Sequence, residues 1–197
     1  LAAPQRERFA ALVAGEAERL RQLVERLLAL ATVEQRRELH ERRPVSLKPV
    51  VEELLASRAP AITRKDLRVE CTLPEDGAVL GEPFLIVQAI GNLLDNALDF
   101  TPVQGVVAVG AERTGDAWRL AVSNTGDPIP DYARDRLFER FFSLPRPDTG
   151  RKSTGLGLAF VKEVAQLHGG TISVDNWAGP DGAAVGVVAR FMLPAAG

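Results

Sequence analysis

Between Glu82 and Phe100 the chain runs through leucine, isoleucine, valine and alanine with only three charged residues, a stretch too long for a strand. It reads as a long, well-buried helix, and a helix covered on most of its surface needs other layers packed around it. Asn92 and Asn96 stand four residues apart in this run, so on a helix they project from one face. A buried amide left unpaired costs about 1–3 kcal/mol, so both require partners. Helix caps or backbone acceptors would serve. So would a magnesium ion (Mg2+) carrying nucleotide phosphates, because hard cations take amide and phosphate oxygens.

The flanking segments supply the layers. From Arg6 to Glu34, with Pro4 near the start, Phe9, Leu12, Val13, Leu20, Leu23, Val24, Leu27, Leu28, Leu30 and Ala31 recur at the spacing of one helical stripe. Leu20, Leu23, Leu27 and Leu30 also fit heptad spacing, so this long amphipathic helix is either an ordinary packing helix or one side of a dimer seam. The polar stretch from Gln35 to Pro44 reads as a joint, dividing the chain into residues 1–44 and 45–197. Beyond it we expect a helix at Leu47–Ser57, a strand at Leu67–Leu73, the central helix, and strands at Val106–Glu112 and Ala117–Ser123 joined around Gly115. A short segment from Asp131 to Phe142 leads into a polar stretch, Ser143–Thr154, expected to be mobile. A helix at Leu156–Leu167 stops at Gly169-Gly170, and strands Thr171–Asn176 and Ala183–Leu193 flank the turn Gly179-Pro180-Asp181-Gly182. The expected fold class is α/β (α+β): a two-layer sandwich with helices on one face of a mixed sheet, preceded by the long helix.

Composition narrows the function. The chain carries 24 basic and 26 acidic residues, a formal net charge of −2, so nothing global attracts nucleic acid or an anionic membrane. Any phosphate site must be local. Cys71, the sole cysteine, sits in the strand-like run and reads as buried and structural, which fits a reducing compartment. No apolar run approaches the roughly 20 residues that span a bilayer. The chain opens on Leu1 rather than methionine and reads as a portion of a longer protein, with any membrane segment upstream.

Two further motifs carry chemistry. Val122-Ser-Asn124-Thr-Gly126-Asp-Pro-Ile129-Pro130 leaves a strand and turns at a glycine beside a polar side chain, a shape that can hold a base edge or serve as an ordinary loop. Ser153-Thr154-Gly155-Leu156-Gly157-Leu158 opens a helix, and its glycines let backbone amides approach a polyphosphate or simply allow close packing.

In this order and spacing the motifs resemble the GHKL ATPase superfamily and, within it, the sensor histidine kinases. Asn92–Pro102 is similar to the asparagine box, Phe138-Glu-Arg-Phe-Phe142 to the phenylalanine box and Gly155–Leu158 to the second glycine box. Residues 8–34 resemble the second helix of the kinase dimerisation domain, and 45–193 its catalytic domain. The resemblance implies ATP and Mg2+ as cofactors, with Asn96 on the metal, Asn92 on metal or phosphates, and Phe100 against the nucleotide. It puts Asn124, Gly126 and Ile129 at the base and Arg140 on the phosphates. It makes residues 143–154 an ATP lid, in which Arg146, Arg151 and Lys152 add positive charge on closing and Ser153, Thr154, Gly155, Leu156, Gly157 and Leu158 meet the nucleotide.

Hydrolysing relatives resemble one another in a glutamate that activates water, and Asn92 occupies that place here. An amide cannot take a proton at neutral pH, which favours phosphoryl transfer. The resemblance further implies a homodimer through the dimerisation helices, a response-regulator receiver domain as partner, and the cytoplasmic portion of an inner-membrane sensor kinase, with no nucleic acid and no membrane contact from these residues. The phosphate-accepting histidine lies on a helix this chain lacks. His40-Glu-Arg-Arg-Pro44 only imitates that motif, and His168 reads as structural, so nucleotide binding without autophosphorylation is expected. The chain departs from the pattern at Asn124, where aspartate is usual, at Pro128 for glycine, and at Asp99 for lysine. Asn124 suggests relaxed discrimination of ATP from GTP, and Asp99 would oppose phosphates if it points inward. These departures, with Ser143-Leu-Pro-Arg-Pro147 and Lys152–Phe160, are similar to CreC-type sensor kinases. Alternative readings are a degenerate GHKL domain acting as nucleotide sensor or dimerisation scaffold, and a GHKL protein-serine kinase or ATPase.

Overall fold

Pro83 occupies the first turn of the central helix, where its missing N–H is no loss, and Pro102 follows the end, holding Thr101 extended. Between them Leu85, Ile86, Ala89, Ile90, Leu93, Leu94, Ala97 and Leu98 are all buried. Each large one contributes about 1.5–3 kcal/mol on leaving water. The orphan carbonyls at the C-terminal end are taken by a lysine: Lys65 Nζ donates to the carbonyls of Leu98, Asp99 and Thr101 at 2.8, 3.1 and 2.9 Å.

A computed structural model describes residues 3–148, 150, 152–178 and 185–197. In chain order the elements are α1 (Ala3–Glu34), β1 (Arg43–Ser46), α2 (Leu47–Ser57), α3 (Ala59–Arg64), β2 (Arg68–Thr72), β3 (Ala78–Gly81), α4 (Pro83–Phe100), β4 (Val106–Thr114), β5 (Ala117–Thr125), α5 (Asp131–Arg134), α6 (Gly157–Leu167), β6 (Thr171–Ala178) and β7 (Val185–Pro194). Five strands form a sheet in the order β2-β4-β5-β7-β6, with β2–β4 parallel and the other pairs antiparallel. Helices α2, α4 and α6 share one apolar core with it. The mixed two-layer α/β class is thus as expected. Gly115, at φ +64°, makes the tight β4–β5 turn, and Gly169, at φ +70°, ends α6.

The structure corrects several expectations. Strands β1 and β3, which pair antiparallel, and helix α3 were not anticipated. Because β1 begins at Arg43, the sheet claims the last two residues assigned to the joint; Pro44 is tolerated there because the pair is only two strands wide. Cys71 is exposed, not buried, since β2 is an edge strand. Leu30 does not extend the heptad seam: it and Val33 are buried in the shared core, while Phe9, Leu12, Val13, Leu20, Val24, Leu27 and Leu28 stay exposed. The turn Gly179–Gly182 and the first residues of the strand expected from Ala183 lie outside the described residues.

The joint is fastened at Glu82. Its carboxylate accepts two hydrogen bonds from Arg36, at 3.0 and 2.6 Å, and one from the His40 backbone N–H at 3.3 Å. Its own backbone N–H donates to His168 Nε2 at 3.0 Å. The other ring nitrogen, Nδ1, lies 2.7 Å from the Val164 carbonyl, so the neutral imidazole with its proton on Nδ1 satisfies both contacts. Gly81 permits this: a Cβ there would meet His168 Cδ2 at 2.2 Å.

Burial pushes the His168 pKa down, and the Arg36 hydrogen bonds hold the Glu82 carboxyl below its usual range. For both groups the unfolded chain binds more protons than the folded one as acid is added, so stability rises with pH. Thermal denaturation should therefore show the melting temperature falling below about pH 6.5, the ordinary histidine pKa, and falling further as Glu82 titrates below about 4.5. His168→Gln should abolish the first decline and leave the second; an unchanged first decline would refute the His168 assignment.

Candidate functional site

The period-two alternation of β5 turns Trp118, Leu120, Val122 and Asn124 to the helix side. Asn124 therefore ends an apolar row with an amide, only 6% exposed, at the mouth of a cavity of about 290 Å³ between the sheet and α4. Its Nδ2 donates to the Thr125 carbonyl at 3.0 Å, and Oδ1 is the amide's acceptor. Helix α4 contributes Leu93, Asn96, Ala97 and Phe100, while Val187 and Ala189 continue the floor from β7. The β5–α5 loop forms one wall and is clamped from β6: Ile129 N–H donates to Asn176 Oδ1 at 2.7 Å, and Asn176 Nδ2 donates to the Ile129 carbonyl at 2.9 Å. Gly126, at φ +149°, brings the loop against α4, since a Cβ would stand 2.7 Å from the Phe100 carbonyl. Ile129, Ala133 and Leu137 pack with Phe138, Phe142 and Leu144 as a second small core.

The segment over the cavity is pinned where it starts and ends. Gly155, at φ +67°, lies so close to Phe141 that a Cβ would come within 2.5 Å of its carbonyl carbon, and Phe141 N–H donates to the Gly155 carbonyl at 3.0 Å. Ser143 Oγ accepts from the Ser153 N–H at 3.1 Å and lies 2.8 Å from Ser153 Oγ. Pro145 and Lys152 form a β-bridge. Arg146 is ion-paired with Asp99, and Asp148 with Lys65 at 2.5 Å. Burial pushes the Asp99 carboxyl above its ordinary range, with the Arg146 guanidinium pulling it down. Arg151 lies outside the described residues.

Of the residues singled out in the sequence, Asn96, Phe100, Asn124, Ile129, Ser153, Gly155, Gly157 and Leu158 meet around this cavity. Asn92 does not. It lines a separate hollow of about 260 Å³ with Arg26, Arg58, Gln88, Asp95 and Phe160, and Leu156 borders that hollow too. Gly157 touches both spaces. Arg140 points away: it is exposed and paired with Glu34 at 2.5 Å, because the last turn of α1 brings a carboxylate within its reach. Lys152 is exposed in its bridge, Thr154 is not on the wall, and Gly126 works from behind the loop. Asn176, Lys65 and Tyr132 escaped the sequence reading, as did the role of Glu34.

A sheet covered by helices on one face, with an asparagine-bearing helix and a glycine-pinned segment, thus frames one cleft. Residues 81–197 match the family model described as histidine kinase-, DNA gyrase B- and HSP90-like ATPase, and the chain belongs to that family. It is 42% identical over 169 residues to the sensor protein CreC of Escherichia coli K12, covering 86% of this chain and 35% of that protein. The Acinetobacter baumannii histidine kinase AdeS superposes with a TM-score of 0.76 at 25% identity, covering 96% of this chain and 84% of the other. Full-length ShkA, in complex with AMPPNP, gives 0.77 at 25% identity over 99% and 40%. The chain thus spans about a third of the length of the curated relative and carries the catalytic-domain fold of the histidine kinases.

Asn176→Ala removes both bonds to Ile129 and should cost about 2 kcal/mol in denaturant titration, at about 1 kcal/mol per bond. Hydrogen exchange should show the Ile129 amide losing protection while α4 keeps its own. Retained protection at Ile129 would show that the clamp is unnecessary.

Proposed function

We propose that this chain is the ATP-binding catalytic region of a two-component sensor histidine kinase, which transfers the ATP γ-phosphate to a histidine on a dimerisation helix and thence to an aspartate of a response regulator. The observation that carries this reading is the cleft itself, which gathers Asn96 and Phe100 of α4, Asn124 of β5, and Gly155, Gly157 and Leu158 from three separate stretches of chain. The donor set suits the nucleotide. Asn124 Oδ1 offers an acceptor to an exocyclic amino group, Phe100 and Ile129 offer apolar surface to a base, and Gly157, in the first turn of α6 with nothing nearer than 3.8 Å to where a Cβ would stand, leaves backbone room for phosphates. Thr125 engages one N–H of the Asn124 amide, and the second can still face a guanine carbonyl, so relaxed discrimination of ATP from GTP remains the expectation.

A Mg2+ ion would be held by the amide oxygen of Asn96 together with oxygens of the nucleotide; among the described residues no cluster of three His, Cys, Asp or Glu side chains exists to hold one. The ion supplies charge neutralisation of the polyphosphate. Phosphotransfer is favoured over hydrolysis because Asn92 cannot act as a base, and Asp95, the carboxylate lining the same hollow, is bound to Arg58 Nε at 2.7 Å. The exposed stripe of α1 from Phe9 to Leu28 suits a dimerisation helix. No described helix is long and apolar enough to cross a membrane; an inner-membrane anchor for a cytoplasmic catalytic region would lie in other segments. A non-catalytic scaffold is favoured by one observation, the engagement of Arg140 by Glu34 away from the cleft.

Calorimetric titration with a non-hydrolysable ATP analogue and Mg2+ decides between these. Saturable binding, reduced at least tenfold by Asn96→Asp and of similar strength for the GTP counterpart, is the expected result. Absence of binding by folded protein would leave the scaffold.

A further inference from the structure

Asp99 follows Asn96 by three residues on α4, so the two side chains are neighbours on the helix surface beside the proposed phosphate site. A carboxylate in that place should repel a polyphosphate. The structure shows it otherwise occupied. Asp99 binds Arg146, whose chain neighbours Pro145 and Pro147 both line the cleft. Both side chains are about one-third exposed, and neither lines the cleft itself; the ion pair sits next to it, between α4 and the segment whose prolines border it. The Arg146 Nε is buried and has no acceptor among the described residues, an arrangement that costs about 1–3 kcal/mol until an acceptor arrives. An arginine fork carries five N–H donors, and one carboxylate oxygen uses few of them. A second strut of opposite polarity steadies the same segment: Asp148 binds Lys65, and Lys65 is itself fixed by three carbonyls at the end of α4. With its partners so arranged, Arg146 is held against the end of α4, beside the cleft and within reach of an anion that enters it.

We propose that Asp99 is a positioning residue for nucleotide binding: it does not oppose the phosphates but holds the guanidinium of Arg146 where that group's remaining donors meet the phosphate oxygens. The inference rests on the nucleotide reading of the cleft. It reverses the simple electrostatic expectation, under which deleting a negative charge beside a polyphosphate strengthens binding. Here deleting it loosens the cation that binds.

The test compares the unaltered chain with Asp99→Asn, Arg146→Gln and the double variant, each checked for folding by circular dichroism and titrated with adenosine, ADP and a non-hydrolysable ATP analogue in Mg2+. Asp99→Asn should weaken the ATP analogue about tenfold, the size of one hydrogen bond to a charged group, and should leave adenosine unchanged. Arg146→Gln should weaken it by as much or more, and the double variant no further than Arg146→Gln alone. A loss that extends equally to adenosine would mean general damage to the pocket and would overturn the inference. So would Asp99→Asn binding the ATP analogue as well as or better than the unaltered chain. Failure of the folded, unaltered chain to bind any of the three ligands would overturn the nucleotide reading, and this inference with it.

Discussion

The burial of α4 against the five-stranded sheet governs the placement of nearly everything around the cleft. Leu85, Ile86, Ala89, Ile90, Leu93, Leu94, Ala97 and Leu98 commit most of the helix surface to the core, and the helix can then neither rotate nor slide without opening cavities that cost several kcal/mol. With that register fixed, the remaining stripe of Asn92, Asp95, Asn96 and Asp99 has no freedom either. These polar residues are held by the energetics of their apolar neighbours. Lys65 locks the end of the helix through three carbonyls, and Glu82 ties its beginning to the joint and to His168.

A rigid floor leaves adaptation to the segment between Phe142 and Gly155. Its ends are fixed by backbone contact, Phe141 on Gly155, and by the paired serines. Its middle is fastened by charge, through Arg146 and Asp148. The distinction is physical: packing at the base is insensitive to salt, whereas partly exposed ion pairs are screened by it. The segment is thus fixed by packing and hydrogen bonds at its ends and by charge in its middle.

How much of this could be read in advance depended on whether a partner was local. Helix α2 was found to the residue, Leu47–Ser57, and the bounds of α4 and α6 to within one, because helical periodicity and flanking proline and glycine are local signals. Strands β1 and β3 were missed because four residues, one set containing Pro44, carry no readable alternation. Cys71 was misplaced because alternation reveals which residues share a face, not whether anything covers it. At the site, Asn96, Phe100, Asn124 and the glycine turn were legible from their motifs. The Asn176 clamp was not, since its partner lies 47 residues away, and Arg140 was assigned to the cleft because its competitor Glu34 sits on a helix more than a hundred residues earlier.

That last contact also gives α1 a mechanical character. The helix has 32 residues and is about 48 Å long at about 1.5 Å per residue, and among the described side chains those buried in the catalytic fold, Leu30 and Val33, lie in its final turns, as does the Glu34–Arg140 pair. It therefore works as a lever with a short inner arm and a long outer one. A tilt of about 5° at the root sweeps the far end through roughly 4 Å on that length. By the same ratio, a displacement of several ångströms at the outer end arrives at Glu34 as a movement too small to unseat the core, but of the size that makes or breaks a single ion pair.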